Sequence, residues 1–99
     1  MNTQRTSTFL MANLGAEVSR IFSAKDNHDE IQMRDCLERA QKILKEIMTI
    51  PDMKTRVVEM DTLSDVLTDT TRSNQIFNIQ RKNLTSYFTP FMLKVMASR

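Results

Sequence analysis

A single glycine, Gly15, and two prolines, Pro51 and Pro90, are all the backbone punctuation that this chain of 99 residues contains. Two-residue hairpin loops depend on glycine, most often as Asn-Gly or Asp-Gly, so a strand-rich fold would have almost nothing with which to turn its corners. Helix is what remains. Apolar residues recur at intervals of three and four along most of the sequence, the period of an amphipathic helix. Length sets a second bound: residues 1–99 make one domain, too short for a doubly wound dinucleotide fold or an eight-stranded α/β barrel.

Residues 1–6 read as a polar tail, and the spacing predicts a first helix over 7–24, with Leu10, Met11, Leu14, Val18, Ile21 and Phe22 on one stripe. Ala12, Gly15, Ala16 and Ser19 run beside it as a line of small residues. A mid-helix glycine costs about 1 kcal/mol relative to alanine, and close approach of another helix at Gly15 is the physical reason to expect one there. Asn27, with Glu30 three residues on, has the spacing of a helix start, and Met33, Cys36, Leu37, Ala40, Ile43, Leu44, Ile47 and Ile50 carry the second helix to about residue 49. Asp35 with Arg39 and Glu38 with Lys42 are i,i+4 pairs on its wet side.

Pro51 pushes Ile50 out of helical conformation and ends that helix. The third segment, about 52–69, aligns Met53, Val57, Met60, Leu63, Val66 and Leu67, as one helix or as two with a restart at Thr62 and Asp65. Residues 68–74 form a polar connection. Ile76, Phe77, Leu84, Tyr87, Phe88, Phe91, Met92, Val95 and Met96 then mark a last helix, kinked or broken at Pro90. The expected architecture is all-α, a small antiparallel bundle of about four helices joined by short connections.

The inventory of reactive side chains is thin. A serine triad or a cysteine–histidine dyad would have to use the one histidine, His28, and a shared helix would hold it about 12 Å along the axis from the one cysteine, Cys36, too far for a dyad. A single cysteine also excludes a cysteine-based zinc site and an intrachain disulfide, which fits a cytoplasmic protein. No glycine-rich loop exists to cradle a phosphate, and no run of about 18 apolar residues predicts a transmembrane helix. Asp61, Asp65 and Asp69 would line one face of a continuous helix, where an arginine or lysine is a commoner answer to the repulsion than a hard cation. No catalytic site, cofactor or metal is expected.

The net charge of +2 conceals a polarised chain. Residues 51–70 hold five acids and two bases, whereas residues 71–99 hold five bases and no acid. Arg72, Arg81, Lys82 and Lys94 are thus candidates to face the aspartate row, within the chain or across a symmetric dimer. The function expected is protein–protein interaction or self-association, as a homodimer and a regulatory or adaptor subunit. The alternative is a nucleic-acid-binding bundle whose basic segment 72–94, with Asn74, Gln75, Asn78, Gln80 and Asn83, meets phosphates and base edges. Methionines suit adaptable interfaces, and Met48, beside the Pro51 junction, is the one expected to face a partner.

Overall fold

The computed structural model describes residues 6–72, 75 and 79–97. Among them, all regular structure is helical: α1 (Ser7–Asp26), α2 (Glu30–Met48), a 3₁₀ segment (Pro51–Arg56), α3 (Val57–Thr70) and α4 (Arg81–Ala97). Residues 1–5 of the expected tail, Asn74 and Asn78 of the polar stretch, and Ile76 and Phe77 of the last stripe lie outside the described residues.

Thr6 caps α1, its hydroxyl accepting the Phe9 N–H at 3.1 Å. The helix runs past residue 24 because its end is a Schellman motif rather than a simple polar break. Asp29 N–H donates to Ala24 O at 2.8 Å and His28 N–H to Lys25 O at 3.1 Å, with His28 left-handed at φ 55°. A glycine usually takes that position, and here a histidine does. The motif consumes Asn27 as the last cap of α1, so the start of α2 moves to Asp29, whose carboxylate accepts the Gln32 N–H at 3.1 Å. That corrects the expectation that Asn27 opens the second helix.

Ile50 is extended (φ −82°, ψ 127°), as a residue before proline must be, and Pro51 opens the 3₁₀ turn. The third segment therefore divides at Val57, and no helix restarts at Thr62. The Thr62 hydroxyl instead donates to the Val58 carbonyl at 2.9 Å within an unbroken α3. The α4 helix begins at Arg81, with Asn83 and Leu84 donating back to Gln80 O. It is continuous through Pro90, so the break considered there does not occur.

α1 lies at the centre, packed on both α2 and α4, while α2 also meets α3. Its whole predicted stripe is buried, against Cys36, Ala40, Leu44 and Ile47 of α2, Met60, Leu63, Val66 and Leu67 of α3, and Leu84 and Phe88 of α4. Met48 packs against this core, whereas Met92 and Met96 lie exposed. The exposed methionines are those of α4, not Met48, because the wet face of α4 begins where the Leu84 and Phe88 stripe ends.

Candidate functional site

Of the small residues on α1, Gly15 and Ser19 face α4. A Cβ built on Gly15 would fall 2.8 Å from the Cβ and 3.0 Å from the Cγ of Phe88. Gly15 and Ser19 border a narrow cleft of about 150 Å³ with Thr85, Phe88 and Met92; Ala12 and Ala16 are half-buried.

The charged candidates do not assemble into one site. Asp61 and Asp65 stand in solvent on α3, and Asp69 is turned inward and buried. Arg81 instead reaches α1, where its guanidinium lies 2.7 Å from the Asp26 carboxylate and stacks 5.6 Å over the Phe22 ring. Arg72 is exposed beyond α3, beside His28, Asp29 and Glu30 in a cleft between the α1–α2 turn and the end of α3. Lys82 and Lys94 are exposed on α4. Among the described residues no ion pair joins Asp61 or Asp65 to any of these cations, and no three carboxylate, histidine or cysteine groups stand close enough to share a metal ion.

Two polar clusters escaped the sequence reading. Glu17, buried within the α1 stripe, accepts from Arg39 Nε at 3.2 Å through both oxygens and lies 3.1 Å from Arg20. The signal was an acid at a core-facing position, which needs a cation from a neighbouring helix. Arg39 thus turns away from Asp35, while Lys42 keeps its predicted place 4.0 Å from Glu38. Arg39 also donates to Cys36 Sγ at 3.2 Å, but burial dominates and pushes the thiol up, away from the reactive thiolate.

The second cluster joins the 3₁₀ segment, α3 and α4. Arg56 holds the Glu59 carboxylate with two hydrogen bonds of 3.1 and 2.5 Å, and Tyr87 donates its hydroxyl to the same carboxylate. Arg56 also donates to the Tyr87 oxygen at 3.3 Å and lies 5.9 Å over the Phe91 ring. Its guanidinium, and then the tyrosine hydroxyl, hold Glu59 below the usual carboxylate range. Burial and the neighbouring carboxylate push Tyr87 up to about 12. Beside the cluster an open groove of about 260 Å³ runs along Leu63, Val66, Ile79 and Leu84.

Tyr87 is the only tyrosine and the chain has no tryptophan, so its titration is readable directly from tyrosinate absorbance. The midpoint is expected near 12, falling toward the ordinary 10 in Glu59→Gln. Because folding raises this pKa, the stabilisation is whole below pH 10 and is lost as pH climbs through 12. A wild-type midpoint at 10 would mean that the phenol is free in solution. On the acid side the sign reverses: the depressed Glu59 contributes above the usual carboxylate range, and its contribution is lost as pH falls through its lowered value.

The outer surface is apolar in unusual places. Leu93 is 59% and Met96 63% exposed on α4, and Val58 is 79% exposed on α3. No helix among the described residues is long and apolar enough to cross a membrane. Compared with known proteins, the chain matches no family model, no curated protein and no solved structure.

Proposed function

We propose that the chain is a non-catalytic interaction protein, a regulatory or adaptor subunit that self-associates as a homodimer through its C-terminal helix. The observation that carries this is the exposure of Leu93 and Met96 on a helix whose inner face is already satisfied by Leu84 and Phe88. Burying a leucine or methionine side chain contributes about 1.5–3 kcal/mol relative to leaving it wet, and a symmetric dimer counts each twice. Small size adds to the incentive, since a chain near 100 residues buries only about 65% of its unfolded surface alone.

In this proposal the helices form an antiparallel bundle with α4 bent at Pro90. Arg81 lies against Phe22 and Asp26 while Phe88 lies against Gly15, so residue numbers rise along α4 as they fall along α1. The lone, buried Cys36 suits a reducing cytoplasm, where we place the protein. Nucleic-acid binding by segment 72–94 is the weaker reading, because two of its side chains are already committed inside the chain: Arg81 to Asp26, and Gln75 to the Thr70 carbonyl at 3.1 Å. Light scattering on the eluting protein over a concentration series tests the proposal. The mass should rise from 11.5 kDa toward twice that value, and Leu93→Glu/Met96→Glu should hold it at 11.5 kDa. A wild-type mass fixed at 11.5 kDa throughout would overturn it.

A further inference from the structure

The identity of the surface that receives α4 follows from charge. α4 carries Arg81, Lys82 and Lys94 and no acid, so a second copy of α4 offers no carboxylate to answer those cations. α3 carries Glu59, Asp61, Asp65 and Asp69 and no base. Its outer face presents Val58, Asp61 and Asp65 at i, i+3 and i+7, all exposed, opposite the buried Met60, Leu63 and Leu67. The outer face of α4 presents Lys82, Thr89, Leu93 and Met96 at i, i+7, i+11 and i+14, again all exposed. Each stripe therefore has an apolar end and a charged end, and the charges are opposite.

We propose that α4 of one copy docks antiparallel on the outer face of α3 of a second copy, with the Leu93 and Met96 end over Val58 and Lys82 reaching Asp65. The lengths agree. Leu93 and Lys82 lie about 16 Å apart along α4, and Val58 and Asp65 about 10 Å apart along α3, a difference of about 6 Å that an extended lysine side chain spans. Two-fold symmetry repeats the contact, so each copy gives one α4 and one α3. The inference rests on the self-association proposed above.

Two charge-reversed chains separate the two ideas. Lys82→Glu makes both faces acidic, and Asp61→Lys/Asp65→Lys makes both basic. All three positions are exposed, and circular dichroism reports whether each variant remains helical. Each variant alone should dimerise at least about tenfold more weakly than the wild type, and a one-to-one mixture should recover the dimer, because both contacts of the mixed pair then join opposite charges. The wild-type dimer should also weaken as salt is raised. A wild-type chain that stays monomeric overturns both proposals. A wild-type dimer that is indifferent to salt, reversed chains that dimerise as the wild type does, or folded reversed chains that fail to recover on mixing overturn the α3 surface and leave self-association standing.

Discussion

Phe88→Ala is expected to cost about 3–5 kcal/mol, a large share of the roughly 5–15 kcal/mol by which a small domain is stable. Phe88 is 2% exposed and seated on Gly15, which forms the floor of its site and has no side chain to follow a retreating ring. The cavity therefore stays open. Gly15→Ala probes the same contact from the other side. Alanine at a helix interior gains about 1 kcal/mol over glycine, whereas overpacking costs about 1–3 kcal/mol. The overlap is with the Phe88 Cβ, which moves only if α4 moves, so the cost outweighs the gain and the variant should melt below the wild type. Phe88→Ala removes the Cγ and Cδ1 contacts but keeps the Cβ 2.8 Å away, so Gly15→Ala should cost less in that background than in the wild type. Urea unfolding of the four chains of this cycle, followed by circular dichroism, gives the coupling. A Gly15→Ala chain more stable than the wild type would mean that the helices do not approach so closely.

That contact also marks how far the residues alone reveal the fold. A glycine at a helical position with apolar neighbours at i−1 and i+3 announces close packing, and the spacing places it on α1. Nothing local says that the ring received there belongs to Phe88, 73 positions away. The same division runs through the charged groups. Glu38 and Lys42, neighbours on one helix, are found together, whereas Arg39 abandons the equally well spaced Asp35 because the buried Glu17 of α1 has more to lose without a cation. Arg81 behaves alike, taking Asp26 and the Phe22 ring in place of the aspartate row. Helical period is a property of one segment and survives folding. Partner choice depends on which helices meet, and no spacing within a segment encodes it.

Pro90→Ala is expected to stabilise the protein by about 2 kcal/mol. Proline at a helix interior costs about 3 kcal/mol relative to alanine, because its ring crowds the preceding turn and it brings no N–H to the carbonyl four residues back. Here that carbonyl is Ser86, and α4 nonetheless continues to Ala97. Removing proline gives the unfolded chain more freedom, which returns about 0.4–1 kcal/mol of the gain. Pro90 is exposed, so no packing is lost with its ring. A net 2 kcal/mol corresponds to a melting temperature higher by about 8–16 °C in a domain of this size, well within the reach of a thermal scan. If the variant melts at or below the wild type, the backbone geometry at Pro90 is itself required. The reason would lie one residue on, where Phe91 must meet both the Arg56 guanidinium at 5.9 Å and the Tyr87 ring at 6.2 Å. If α4 is bent at Pro90 as proposed, straightening it would swing Phe91 out of that position and, with it, re-aim Leu93 and Met96. The two outcomes thus distinguish a proline that the helix merely tolerates from one that sets the direction of the apolar end of α4.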